Sequence, residues 1–130
     1  FNGIEFIKYE QLDIGDMQYV TDENILIIIE RKTLKDLASS IKDGRYREQK
    51  YRLSQINCKI IYIIEGTVKW DTLSKYIYKI SGLPVTTLLS TQISLCIKDN
   101  FYIYRTNNLD ETVYTIFEIY RKLMKIDQHY

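Results

Sequence analysis

The sequence predicts one α/β domain in which a central mixed sheet is flanked by helices. Its 130 residues, 45% of them hydrophobic, are enough to form a single core. Short runs rich in β-branched residues alternate with longer segments whose apolar residues recur at helical spacing. Because such alternation is typical of a sheet with helices packed on it, we expect residues 1–130 to form a single domain.

The first half of the chain is predicted to contain three strands and two helices. The strands are expected at residues 5–9, 17–20 and 24–30, with a polar hairpin turn over residues 21–24. Thr33 is well placed to cap the first helix, and Gly44 suits the left-handed conformation that ends it. A second helix is expected over residues 45–57. The predicted inward side chains are Leu34, Leu37, Ala38 and Ile41 in the first helix and Tyr46, Leu53 and Ile56 in the second.

The second half continues the alternation. A buried strand is expected at residues 59–65, a short helix at 71–79, a last strand at 101–105 and an amphipathic helix at 109–126. Pro84 is predicted as the first residue of a further helix that runs to about Ile97. Residues 80–84 are superficially similar to the hairpin of a helix-hairpin-helix element, but no second hairpin follows and we reject that interpretation. Cys58 and Cys96 lie in apolar segments without metal-ligand spacing, which predicts buried free thiols.

A cluster of charged residues follows the most hydrophobic strand. After a run of aliphatic residues the chain continues as Glu30-Arg31-Lys32 and then becomes a helix. Alternate residues of a strand share a face, so Glu30 and Lys32 are expected on one side and Arg31 on the other. Asp16, in a turn before another strand, is a second carboxylate that could lie alongside Glu30. Two carboxylates and a lysine are the minimal set for metal-assisted phosphodiester hydrolysis. For the tripeptide alone, the alternative that a buried strand simply meets water there is favoured.

The residues after this tripeptide extend the pattern into a long signature. Asp36 follows the lysine by four positions, and residues 39–53 contain Ser-Ser-Ile, Asp-Gly-Arg, Arg-Glu-Gln-Lys and Arg-Leu. This chain resembles the XPF/Mus family of structure-specific DNA endonucleases, whose motif is Gly-Asp, a variable gap, Glu-Arg-Lys, three residues and Asp. The resemblance is closest to the Mus branch, the crossover-junction endonucleases, and continues more weakly into the last helix. It implies a restriction-endonuclease-like nuclease fold.

The resemblance also implies a reaction and a set of catalytic residues. We expect Mg²⁺-dependent hydrolysis of phosphodiester bonds in branched DNA such as flaps, forks and nicked junctions, in repair or recombination, with Mn²⁺ as a substitute cation. Asp16, Glu30 and the backbone carbonyl of Arg31 are expected to hold the metal. Lys32 is expected to orient water or to offset phosphate charge. Asp36 is interpreted as a catalytic residue, as the partner of Arg31 or as an outer metal ligand, with stabilisation of the helix N-terminus as an equal alternative.

Electrostatics indicate a DNA-binding region beside this site. The chain has a formal net charge of only +1, but residues 31–52 contain eight basic and three acidic residues. Free N–H groups at the Gly44-Arg45 turn are predicted to form a phosphate cradle. A merely solvated helix face is the alternative. The residues expected to contact DNA are Arg31, Lys42, Arg45, Arg47, Gln49 and Lys50.

The last helix suggests a partner chain. Leu109, Val113, Ile116, Tyr120 and Leu123 lie along one side, Phe117 and Met124 widen the apolar surface, and Leu88, Leu89 and Leu95 of the preceding helix add to it. Because the resembling nucleases pair through their nuclease domains, we expect a homodimer or a heterodimer. A catalytically inactive architectural subunit is the alternative function.

Sequence length and composition suggest where the protein acts. The chain begins at Phe1 and has no helix-hairpin-helix module, so we expect a fragment of a longer protein. The longest aliphatic runs are too short to span a bilayer, and no membrane partner is expected. An intracellular location is predicted, namely the nucleus for a cellular eukaryotic protein or the host replication site for a viral one.

Overall fold

The computed structural model describes the backbone of residues 5–6, 17–20, 25–71 and 77–129, and the side chains within residues 27–71 and 77–124. Seven strands and four helices are present in these ranges. In chain order they are β1 (Glu5–Phe6), β2 (Met17–Val20), β3 (Ile25–Thr33), α1 (Leu34–Asp43), α2 (Arg45–Ser54), β4 (Lys59–Glu65), β5 (Lys79–Ile80), β6 (Leu83–Pro84), α3 (Val85–Ile97), β7 (Tyr102–Thr106) and α4 (Leu109–His129).

Five of the strands form one mixed sheet. Their order is β1-β2-β3-β4-β7, and β5 pairs with β6 in a separate hairpin. The β1-β2 and β2-β3 pairs are antiparallel, whereas β3-β4 and β4-β7 are parallel. The parallel pairs require crossovers, which α1 and α2 supply between β3 and β4, and α3 supplies between β4 and β7. The predicted mixed sheet with flanking helices is confirmed.

The two faces of the sheet carry separate hydrophobic clusters. Alternate side chains of β3 and β4, including Ile28, Tyr62 and Ile64, pack against α1, α2 and α3, and we call this side the α3 face. The intervening side chains Ile29 and Ile63 pack against Ile116 and its half-buried neighbours on α4, and we call this side the α4 face. Because β3 and β4 are covered on both sides, their aliphatic runs show no polar alternation.

The ends of α1 and α2 agree with the predicted caps, with one difference in length. Thr33 has an extended backbone, and its side-chain oxygen accepts a hydrogen bond of 3.1 Å from the backbone N–H of Asp36. Gly44 ends α1 with a φ of 86°, in the left-handed region that favours glycine. α2 ends at Ser54, three residues before the predicted end. The backbone N–H groups of Gln55 and Ile56 instead bond to carbonyls three residues earlier, which tightens the last turn.

The region before α3 departs most from the prediction. A helix over residues 71–79 is wrong for the part that is described, because Lys79 and Ile80 form β5; residues 72–76 lie outside the described residues. Ser81 and Gly82 both have positive φ, at 50° and 78°, as a two-residue hairpin turn requires. Pro84 caps α3 rather than starting it.

Several smaller predictions can also be compared with the structure. The first strand is described only at Glu5 and Phe6, and the predicted turn at residues 21–24 lies outside the described residues. Cys58 is half-buried and free, whereas Cys96 is exposed, so the prediction of a buried thiol was wrong for Cys96. Neither thiol forms a disulfide. In the part of the chain that the structure describes, no helix combines the length and apolarity that crossing a bilayer requires.

Candidate functional site

The charged residues after the aliphatic run belong to β3 itself. The strand continues through Glu30, Arg31 and Lys32 to Thr33, so the expectation that Glu30 ends the strand was wrong. Hydrogen bonding to β4 maintains the extended backbone, with Glu30 opposite Tyr62 and Lys32 opposite Ile64. Strand alternation from Ile28 places Glu30 and Lys32 together on the α3 face, as predicted. Only 8% of Glu30 is exposed, whereas Lys32 is half-buried.

Beside these residues, one edge of β3 has no neighbouring strand among the described residues. The described pairing with β2 stops at Met17 opposite Ile29, whereas pairing with β4 continues to Thr33. The backbone from Glu30 to Thr33 therefore has a strand on one side only within the described residues. Asp16, the residue before Met17, lies outside the described residues, and its role stays a prediction.

The described oxygen donors fit part of a divalent-cation site. The Glu30 carboxylate and the backbone carbonyl of Arg31 are hard ligands of the kind that Mg²⁺ prefers. Within the described side chains, no three His, Cys, Asp or Glu residues are grouped closely enough to hold a metal ion. A complete site would need at least one further donor from outside these residues, and Asp16 is the predicted one.

Arg31 lies on the opposite face and makes a bidentate ion pair. Its Nε donates to Oε1 of Glu65 at 3.0 Å, and its Nη2 donates to Oε2 at 2.7 Å. The sequence predicted that Arg31 would contact a neighbouring carboxylate, but the candidate was Asp36. The partner is Glu65 instead, because Arg31 lies on the α4 face. Asp36 is exposed in the first turn of α1, the helix that packs on the α3 face.

Glu65 connects four elements of secondary structure. The Thr112 hydroxyl on α4 donates to Glu65 Oε1 at 2.6 Å and lies 2.7 Å from the hydroxyl of Thr106 on β7. Arg31 provides the contact from β3. Its hydrogen bond is the main cause that lowers the pKa of Glu65 below the ordinary value of 4.5, against the effect of burial. Neither Glu65 nor Thr112 was predicted from the sequence, although an acid at the end of the predicted strand at residues 59–65 was a signal for Glu65.

The predicted basic patch is divided in the structure. Arg31 lies on the α4 face, as described above. The Lys42 ammonium donates to the carbonyl of Ser81 at 3.1 Å, and the Lys50 ammonium lies 3.3 Å from a carboxylate oxygen of Asp99. Both partners come from residues distant in sequence, and of the two only Asp99 offsets the charge of its lysine. Arg47 is exposed, while Gln49 is half-buried and its side-chain carbonyl oxygen has no described hydrogen-bond partner.

The predicted N–H cradle at the turn between α1 and α2 is also corrected. The backbone N–H of Arg45 donates to Oδ1 of Asp43 at 3.1 Å, so this group is already bonded. The Arg45 Nε donates to Oδ2 of the same carboxylate at 2.8 Å. These contacts from Arg45 lower the pKa of Asp43, and the charge of Lys32 adds to the effect.

An exposed apolar surface lies away from Glu30. On α4 it includes Leu109, Tyr114 and Phe117, which are 55%, 77% and 58% exposed, and on β7 it includes Tyr102 and Tyr104. A groove of about 740 Å³ separates α4 from the strands beside it. The expectation that Leu88 and Leu95 would join this surface was wrong, because both are fully buried. Leu89 is exposed, as are Ile93 and Ile97 on the same helix.

Comparison with known proteins places this geometry in a family. The ERCC4 domain matches residues 1–119. The chain is 37% identical over 126 residues to the probable crossover junction endonuclease mus81 of Dictyostelium discoideum, covering 82% of this chain and 13% of that protein. It is 35% identical over 131 residues to the human structure-specific endonuclease subunit MUS81, covering 91% and 22%. It is 32% identical over 107 residues to the ERCC4 domain-containing protein EP364R of an African swine fever virus isolate, covering 79% and 28%.

Solved structures give the same assignment. The fold is similar to that of XPF from Aeropyrum pernix with a TM-score of 0.66 and 27% identity, covering 88% of this chain and 52% of that one. The same protein in complex with DNA matches equally well, with a TM-score of 0.66 over 89% of this chain. The chain spans no more than 28% of the length of the three curated relatives above. With its sheet, its Glu30-Arg31-Lys32 strand and these matches, the chain belongs to the ERCC4 domain family, alongside the Mus81 and XPF proteins.

Proposed function

We propose that this chain is the nuclease domain of a Mg²⁺-dependent, structure-specific DNA endonuclease that cuts flaps, forks or nicked junctions in repair or recombination. The observation that carries the proposal is that a buried carboxylate, Glu30, and the side chain of Lys32 lie on one face of β3, beside an edge that no described strand covers. An acid that can bind a cation and a lysine that can bind phosphate, placed together on one strand face beside the Arg31 carbonyl, favour a functional site over a strand end that meets water.

The expected roles follow from the positions of the side chains. Glu30, the Arg31 carbonyl and Asp16 would hold Mg²⁺, or Mn²⁺ in its place. When bound, the cation supplies an activated water and neutralises charge on the phosphate. Lys32, two residues along the same strand face, offsets negative charge on the scissile phosphate or orients the water. Arg31 keeps β3 fixed against β4 through Glu65, and Asp36 stays a candidate outer ligand or a favourable charge at the start of α1.

DNA contacts are proposed on the side of the molecule that carries Lys32 and the turn between α1 and α2. Arg45 and Arg47 are exposed there, whereas Lys42 and Lys50 are engaged with protein oxygens and would contribute less. The structure of XPF from Aeropyrum pernix in complex with DNA supports a DNA substrate. Acting on DNA, the protein would work inside the cell, in the nucleus of a eukaryote or at the replication site of a virus.

Pairing with a second nuclease domain is proposed through α4 and β7. Tyr114 and Phe117 on α4 and Tyr102 on β7 are large side chains that are more than half exposed, and exposed apolar groups of this kind are typical of an interaction surface. The partner is a second copy or a related subunit. An inactive architectural subunit would associate as well, so loss of cutting on replacement of Glu30, and not association, distinguishes the two functions.

The test is cleavage of labelled flap, fork and nicked-junction DNA by the complete protein, with and without Mg²⁺. Glu30→Gln is expected to reduce Mg²⁺-dependent cutting more than about a hundredfold, with binding retained, because it removes a charged ligand without changing the size of the side chain. Asp16→Asn is expected to behave in the same way. The control is Glu118→Gln, which removes an exposed acid from α4. Cutting by the Glu30 variant at the wild-type rate would refute the assignment.

A further inference from the structure

The turn between α1 and α2 folds one acid and one arginine onto each other. Both carboxylate oxygens of Asp43 are used: Oδ1 accepts from the backbone N–H of Arg45 at 3.1 Å and Oδ2 from Nε at 2.8 Å. Gly44 makes this possible, because its φ of 86° reverses the chain sharply enough for residues two apart to face each other. Nothing lies within 4 Å of where a Cβ of Gly44 would be, so the turn projects into solvent.

Asp43 occupies only one edge of the Arg45 guanidinium. Within the described part of the chain, the terminal amino groups Nη1 and Nη2 of Arg45 make no hydrogen bond. Other arginines differ in this respect. Arg31 uses Nη2 on Glu65, and Arg105 uses Nη1 on Gln92 and Nη2 on the carbonyl of Gly66. The edge of the Arg45 guanidinium that carries Nη1 and Nη2 is therefore not used by Asp43. This is the edge that can bind a phosphate through two N–H groups.

The turn ends α1, the helix that packs on the same face of the sheet as the proposed catalytic lysine. The charge of Lys32 contributes to the lowered pKa of Asp43, after the larger contributions of Arg45 itself. Two cations, Lys32 and Arg45, thus lie within electrostatic range of the same carboxylate, on the side of β3 that carries Glu30. A DNA strand that reaches the proposed cleavage site on this face would bring its neighbouring phosphates towards Arg45.

We propose that Asp43 is a positioning residue that holds the Arg45 guanidinium ready for a DNA phosphate next to the cleavage site. This rests on the proposed nuclease function. An exposed arginine loses much rotamer freedom when it binds, and a side chain already fixed by its neighbour loses less. An acid beside DNA otherwise repels the phosphates. The positioning role and a merely structural role therefore predict opposite effects of removing the charge.

The test compares Asp43→Asn with Glu48→Gln in the complete protein. Asparagine keeps an oxygen for the Arg45 N–H but loses the second oxygen and the charge. Glu48 is an exposed acid in the first turn of α2, the helix that Arg45 begins, so its variant removes one negative charge close to the same turn. We expect Glu48→Gln to tighten binding of nicked-junction DNA at low salt, and Asp43→Asn to weaken it about threefold to tenfold, which is the net contribution of one ordinary hydrogen bond.

A double-mutant comparison separates the outcomes. In an Arg45→Ala background, Asp43→Asn should no longer weaken binding and should tighten it as Glu48→Gln does, because no guanidinium remains to be held. If Asp43→Asn tightens binding in the otherwise wild-type protein as much as Glu48→Gln, the positioning role is refuted while the nuclease function stands. If the wild-type protein neither binds nor cuts branched DNA, the proposed function fails and this proposal fails with it.

Discussion

Replacing Glu65 with glutamine tests whether the contacts of this carboxylate stabilise the fold. Glu65 accepts three short hydrogen bonds, two from Arg31 at 3.0 and 2.7 Å and one from Thr112 at 2.6 Å. A hydrogen bond to a charged group contributes about 1.5–3 kcal/mol, and breaking a buried ion pair costs about 3–5 kcal/mol. The Glu65 side chain is 10% exposed, but that of Arg31 is 37% exposed, so water replaces part of the loss. Glutamine also keeps one acceptor. We expect Glu65→Gln to lower the free energy of unfolding by about 2 kcal/mol.

The pH dependence of this effect has a defined sign. The pKa of Glu65 is lowered in the folded protein, first by its hydrogen bond from Arg31, from an ordinary value of 4.5. A lowered pKa means that the ionised carboxylate contributes stability above the unfolded value and loses it as the pH falls through the folded value. The difference between wild type and Glu65→Gln should therefore be full near pH 7 and should shrink progressively below about pH 4.5.

Urea denaturation at several pH values measures both quantities. For a domain of this size a loss of about 2 kcal/mol moves the midpoint by roughly 1 M, with an unchanged slope. Glu118→Gln is the matched control, because Glu118 pairs with Arg121 at 2.9 Å where both side chains are at least half exposed, and such a pair contributes about 0–1 kcal/mol. A Glu65 effect no larger than the control, or one that does not change with pH, would refute the reasoning.

Two further predictions concern surfaces. Arg47→Ala should weaken binding to duplex and branched DNA alike and should reduce the slope of log affinity against log salt by about 0.9, because Arg47 is exposed; Lys50→Ala should change the slope less, because Lys50 is paired with Asp99. An unchanged slope for both variants would show that this face of α2 is only solvated and does not contact DNA. Phe117→Ser should weaken association in sedimentation equilibrium and change the free energy of unfolding by less than about 0.5 kcal/mol, since this side chain is 58% exposed. A wild-type protein that cuts DNA as a strict monomer would contradict the proposed dimer.

Local chemistry made much of this fold predictable. A period of two residues placed Glu30 and Lys32 on one face and Arg31 on the other, and the rule holds wherever the strand is regular. Thr33 and Gly44 were recognisable as caps because the hydroxyl of threonine and the positive φ open to glycine both act over only two or three residues. These features depend on neighbours in sequence, which is why the sequence was sufficient.

Contacts between distant residues were not predictable in this way. Counting charges over residues 31–52 could not show that Asp99 approaches Lys50 or that the Ser81 carbonyl approaches Lys42, because both partners come from other elements. Similarly, Asp36 was chosen as the partner of Arg31 because it follows closely in the sequence. The actual partner, Glu65, is 34 residues away and lies on a neighbouring strand. Which acid pairs with a base is decided by strand order, and a single sequence does not state that order.

The Arg31–Glu65 pair also bears on the position of Glu30. In the parallel ladder, Arg31 lies opposite Ile63 and Glu65 lies opposite Thr33, so the pair joins positions two residues apart on adjacent strands of one face. A slip of one residue between β3 and β4 would place Glu65 on the α3 face and would leave the Arg31 guanidinium without it. The bidentate contact therefore disfavours that slip, as does burial of the isoleucines on both faces. The same register keeps Glu30 beside Tyr62 and Lys32 beside Ile64 on the α3 face. Arg31 thus holds β3 in register through its contact on the α4 face, and this register keeps Glu30 and Lys32 in place on the α3 face.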